Sequence, residues 1–99
     1  MDDLDLEFAW FLASVFSIFL QLRKRGVSQI ILAGMAANLC IEARLREFIE
    51  PGFEVAVVKD ATAGPPAPEG DGYLAALINF RFLAHALWTT NQAMSELTN

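Results

Sequence analysis

At 99 residues the chain is one small domain with a thin margin for a core, and 55% hydrophobic against 19% charged residues excludes a disordered chain. The net charge of −5 excludes a face of clustered Lys and Arg for nucleic acid; Asp2, Asp3, Asp5 and Glu7 crowd the head, leaving the rest close to neutral. A single cysteine permits no internal disulfide, which suits a reducing, cytoplasmic setting.

Residues 4–25 are predicted as a helix with apolar residues on all sides, closed by Arg23-Lys24-Arg25 and Gly26. Phe8 to Leu22 is uncharged but shorter than the roughly 20 residues that span a bilayer, so a buried or partner-covered helix is expected rather than a membrane segment. Residues 28–33 (SQIILA) form a continuous apolar run, the pattern of a strand covered on both faces. Residues 39–50 (LCIEARLREFIE) are predicted as an amphipathic helix. Leu39, Ala43, Phe48 and Ile49 face inward, Glu42 stands four before Arg46, and Pro51-Gly52 stops the helix.

Phe53 to Val58 is a second strand, and residues 60–72 (DATAGPPAPEGDG) a Pro- and Gly-rich loop. Tyr73 to Leu83 is a helix, His85 to Thr89 a third short strand, and residues 91–97 a final helical turn or two. Strands alternating with helices predict an α/β fold of three layers. It is a partial Rossmann-like parallel sheet of about three strands flanked by helices, plus the apolar N-terminal helix.

The stretch GMAANLC places the lone thiol, Cys40, just past a strand end and in the first turn of the next helix. Ligands of an open parallel sheet bind beyond such ends. Unpaired N–H groups and the helix dipole gather there and favour a thiolate, the nucleophilic form of cysteine. Gly34, Ala36 and Ala37 are small enough to let a carbonyl group approach the backbone. Asn38 is expected to cap the cysteine helix and, with Gly34 and Asp60, to form the rim. His85 is expected to be a structural or surface residue, and Trp10 and Trp88 to be core or interface aromatics. One His and one Cys make no metal site, and no residue pattern calls for a cofactor.

The stretch GVSQIILAGMAANLCIEARLREFIEPGFEVAVVKDATAG resembles the isochorismatase-like cysteine hydrolases, which include nicotinamidases and N-carbamoylsarcosine amidases. The shared pattern is a strand, Gly-x-x-Thr-x-x-Cys, a helix, a second strand and Asp-Ala, here Gly34 to Cys40, Phe53 to Val58 and Asp60-Ala61. It covers about residues 20–99, with 1–19 a divergent apolar segment. The resemblance implies an Asp-Lys-Cys triad with Cys40 as nucleophile. It also implies a cis peptide between Met35 and Ala36, and an oxyanion hole from the backbone N–H groups of Ala36 and Cys40.

The chain departs from the pattern in three places. Ala37 replaces the threonine of the turn, and neither the aspartate nor the lysine has a counterpart. The strand before Gly34 is therefore expected to be a sheet edge. The resemblance thus implies a truncated hydrolase of small amides or related carbonyl compounds. The alternative is a non-catalytic interaction module that pairs with itself or with a larger hydrolase subunit.

Overall fold

A computed structural model describes residues 18–98 of the chain. The acidic head, Trp10 and most of the Phe8–Leu22 run lie outside the described residues. Within them, residues 18–24 are helical (α1), and the chain leaves that helix at Gly26 with φ +74. The Gly26 N–H donates to Arg23 C=O and the Val27 N–H to Leu22 C=O, both at 3.0 Å, which closes the helix end around a left-handed residue.

Strand β1 runs Gln29–Met35 and β2 Glu54–Ala63, with β5 at Ala86–Trp88. They form one parallel sheet in the order β1-β2-β5, with β1 at one edge. Between β1 and β2 lie a π-turn at Ala37–Ile41 and helix α2 at Glu42–Ile49. Between β2 and β5 lie a two-residue hairpin (β3, Pro66–Ala67; β4, Gly70–Asp71) and helix α3 at Gly72–Leu83. Helix α4, Thr90–Thr98, follows β5.

Alternation along the strands sorts the two faces. Leu32, Val55 and Val57 pack with Ile41, Leu45, Phe53, Ala76 and Phe80 into one buried cluster beneath the π-turn, α2 and α3. Ala56 and Val58 of β2 point the other way and are also buried. Helix α4 packs against β2 and β5 and buries Ala93. It leaves the outer part of that face open, so Ile31 on β1 is exposed. The continuous apolar run at 28–33 is thus covered on one face only, because no described element lies over β1 on the other.

Helix α2 differs from expectation in phase. The Ile41 N–H reaches five residues back to the Ala36 carbonyl at 3.1 Å, which widens the first turn by one residue. The buried positions become Ala37, Ile41 and Leu45, and Leu39 and Ala43 turn to solvent. Phe48 and Ile49 still pack against the core. The helix ends like α1. Gly52, at φ +102, donates to Ile49 C=O, and Phe53 N–H to Phe48 C=O, with the Phe48 and Phe53 rings 5.7 Å apart. Phe53 therefore belongs to the helix stop, and β2 begins one residue later. The Arg23 guanidinium lies 4.4 Å over the Phe53 ring and donates to the Pro51 carbonyl, tying α1 to this end of α2.

The predicted loop at 60–72 is more ordered than its composition implies. Strand β2 continues to Ala63, and the hairpin occupies most of the remainder.

Candidate active site

The carboxyl end of β1 carries the candidate residues. Leu32 pairs with Val57 but Gly34 pairs with Thr62, so β2 bulges opposite Ala33. Gly34 has φ +117, a conformation that favours glycine, at the point where β1 resumes pairing with β2 past the bulge. The Met35–Ala36 peptide is cis. The π-turn follows at once, and the free Cys40 thiol is exposed on it.

Ala36 occupies the cap position of that turn, and no side chain caps it. Its carbonyl accepts from Leu39 and Ile41 N–H at 3.1 Å. The first N–H groups of a helical segment have no acceptor within it. Donors without acceptors at a helix start are suited to a developing oxyanion.

Asn38 is not the cap that the sequence suggests. Its side chain lies against Gly64 and Gly72, where an added Cβ on Gly64 would come within 2.8 Å of Asn38 Oδ1. That slot exists because both positions are glycine. Asn38 Oδ1 and the nearby Thr62 Oγ1 are buried without hydrogen-bond partners. Tyr73 donates its hydroxyl to Lys59 C=O at 2.5 Å, fastening the start of α3 to the bulge. Gly64, Gly72, Thr62 and Tyr73 are the surroundings that sequence reasoning missed. The available signal was the pair of glycines bracketing the Pro-rich stretch.

Asp60 stands on the bulge and turns to α4. Its Oδ1 accepts from the Thr90 hydroxyl and the Thr90 N–H, both at 2.7 Å. The Thr90 side-chain hydrogen bond, helped by the N–H, holds the Asp60 carboxyl below its ordinary value. The carboxylate is thus committed to α4 and not to the cysteine turn.

His85 is structural, as its isolation in the sequence suggests. Its Nδ1 accepts from Val55 N–H at 3.0 Å and its own N–H donates to Val55 C=O at 2.8 Å, extending the β2–β5 ladder. A groove of about 300 Å³ near His85 is lined by Gln29, Ile31, Glu54, Trp88 and Leu97. It opens at the amino ends of the strands, away from Cys40. Among the described residues no three His, Cys, Asp or Glu side chains gather as metal ligands. No helix among them is long and apolar enough to cross a membrane.

A parallel α/β sheet with an exposed cysteine on an uncapped turn beyond its edge strand defines the class. The chain matches the Isochorismatase domain over residues 14–92 and belongs to that family. It is 36% identical over 50 residues to the uncharacterized isochorismatase family protein YecD of Escherichia coli O157:H7, covering 50% of this chain and 27% of YecD. It is 42% identical over 48 residues to the ureidoacrylate amidohydrolase RutB of Methylorubrum extorquens, covering 46% of this chain and 19% of RutB. Its fold is similar to that of an isochorismatase-like hydrolase from Alkaliphilus metalliredigens, with TM-score 0.70 and 19% identity over 81% of this chain and 42% of that one. It is also similar to the nicotinamidase PncA from Bacillus subtilis, with TM-score 0.62 and 26% identity over 73% and 38%. The matched part spans less than half the length of each of these relatives.

Proposed function

We propose that the protein is a cysteine hydrolase of small amides or related carbonyl compounds, with Cys40 as the nucleophile. The observation that carries this reading is the exposed thiol on an uncapped turn beyond the carboxyl end of β1. Two similar proteins bear names of amide chemistry, a nicotinamidase and a ureidoacrylate amidohydrolase.

In the proposed reaction the Cys40 thiolate attacks the amide carbon, and the carbonyl oxygen takes up the negative charge. The backbone N–H groups of Ala36 and Cys40 hold that oxygen. The C–N bond breaks, the amine leaves with a proton, and a thioester remains on Cys40. Water then attacks the thioester, releasing the acid and returning the thiol. Gly34 keeps the approach open, while Asn38, seated in its glycine slot, fixes the turn.

Proton transfer by a positioned base is typically worth about 10²–10⁴-fold. No described side chain is assigned that task, so this chain alone is expected to acylate more readily than it turns over. Alkylation of Cys40 by iodoacetamide across pH tests the nucleophile, with the modified residue identified by mass spectrometry. Faster alkylation of Cys40 in the folded chain than in the urea-unfolded chain is expected of an exposed thiol on such a turn. Equal rates in the folded and unfolded chain would overturn the reading. Amide hydrolysis lost in Cys40→Ala would establish catalysis itself.

The second reading is a non-catalytic interaction module. It is favoured by a separate feature, the exposed apolar row along α3.

A further inference from the structure

Helix α3, GYLAALINFRFL, is apolar around nearly its whole circumference. Such a helix belongs in an interior, yet one face of α3 meets solvent. Ala76 and Phe80 are buried in the core, while Leu74, Ile78 and Phe82 are 56%, 58% and 85% exposed. These three stand at i, i+4 and i+8, forming a continuous row about 12 Å long. Arg81 is the only charged side chain on the helix.

We infer that this row is the seam of a homodimer in which α3 of one copy packs antiparallel against α3 of a second. The row is symmetric about Ile78. A two-fold axis there sets Ile78 against itself and Leu74 against Phe82, so each copy covers the other's largest exposed side chains. The charges agree with that orientation. Arg81, in the last turn, comes beside the first turn of the other helix, where Asp71 and Glu69 place exposed carboxylates. A parallel arrangement would instead set Arg81 against Arg81. The antiparallel pair also aligns each helix dipole with the opposite end of its neighbour. This inference stands apart from the catalytic reading, since the seam uses no residue of the Cys40 turn.

Light scattering on the full chain across a concentration series, with disulfide trapping, tests it. The wild type is expected to reach the mass of two chains. Ile78→Glu should raise the dissociation midpoint by roughly tenfold or more while the circular dichroism stays unchanged. Ile31→Glu, on the free edge of β1, should leave the midpoint alone. In a Cys40→Ser background, Ile78→Cys should form a covalent dimer under diamide, and Ile31→Cys should not. The trapping arm does not depend on how well Ile78→Glu folds. A single-chain mass throughout would overturn the proposal. So would a dimer trapped at position 31 and not at 78, which would place the interface on the sheet edge.

Discussion

The starts of α3 and α4 contrast with the start of the cysteine helix. Every helix opens with N–H groups that its own carbonyls cannot reach. At α3 the Asp71 carboxylate accepts from Tyr73 and Leu74 N–H at 2.8 and 3.3 Å. At α4 the Thr89 hydroxyl accepts from Gln92 N–H at 3.2 Å, and the Gln92 side chain accepts from Thr89 N–H at 2.8 Å, a reciprocal capping box. Asp60 then takes the Thr90 N–H. The turn before α2 has a methyl group, Ala36, at the corresponding place and no side-chain cap. Helices α3 and α4 are closed by side chains at their starts, and the turn that presents Cys40 is open. An open start weakens the helix locally but leaves amide hydrogens for a ligand to use.

The open turn must be held by something other than a cap, and the slot formed by Gly64 and Gly72 around Asn38 is the candidate. Filling that slot gives the largest expected effect. In Gly72→Ala the new methyl meets the Pro65 carbonyl and the Asn38 amide. Backbone cannot swing aside as a flexible side chain can, so a loss of about 1–3 kcal/mol is expected from urea unfolding. If the slot fixes the cysteine turn, Cys40 alkylation should change as well. A stability loss with unaltered alkylation would show that the turn is held elsewhere.

Breaking the closed starts comes next. Asp71→Ala and Thr89→Ala should each cost about 1 kcal/mol without altering Cys40 reactivity. The converse change closes the open start. Ala36→Ser offers an acceptor at the cap position and should gain up to about 0.5 kcal/mol while slowing alkylation of Cys40. Equal alkylation rates in Ala36→Ser and wild type would erase the contrast between the helices.

Much of this architecture is written in local patterns. The runs at Gln29–Leu32 and Val55–Val58 are apolar and β-branched, and Gly26 and Pro51-Gly52 end the helices before them, so strands and helix stops were legible. Glu42 and Arg46 pair at 3.2 Å, as their spacing implies. The phase of α2 was not legible, because the widened turn depends on one hydrogen bond to Ala36 that no side-chain period encodes. Nor was the bulge on β2, since Lys59-Asp60-Ala61 carries no Gly or Pro and its shape comes from pairing with β1 and the tie of Asp60 to Thr90 of α4. Two signals were present but unread: Asp71 preceding α3, and Thr89 three residues before Gln92. The position of Cys40 at a strand-to-helix junction was legible from GMAANLC. What holds its turn was not, because Gly64 and Gly72 reach Asn38, and Thr62 pairs with Gly34, from distant parts of the chain. Glu42 likewise accepts from Asn79 of α3 at 2.8 Å, a tie between helices that the local Glu42–Arg46 spacing does not announce.

The smallest expected effect concerns the one closed start fastened from a distance. Asp60 lies on β2 and holds Thr90 of α4, so its ionisation links the bulge to that helix. Its carboxyl is lowered in the folded protein, chiefly by the Thr90 hydroxyl hydrogen bond. A lowered folded value means that the unfolded chain takes up the proton first as pH falls. The stabilisation is therefore complete above the ordinary carboxylate range and is lost as pH drops through the lowered folded value. Asp60→Asn keeps an oxygen acceptor but loses the charge, which favours the helix N-terminus only while ionised. The urea midpoints of wild type and Asp60→Asn should differ at neutral pH and converge in acid, with the Thr90 amide resonance titrating only in the wild type. A constant offset across pH would mean that the tie depends on the shape of the side chain and not on its charge. In that case Asp60 serves α4 through the fit of its hydrogen bonds to Thr90 and not through its ionisation.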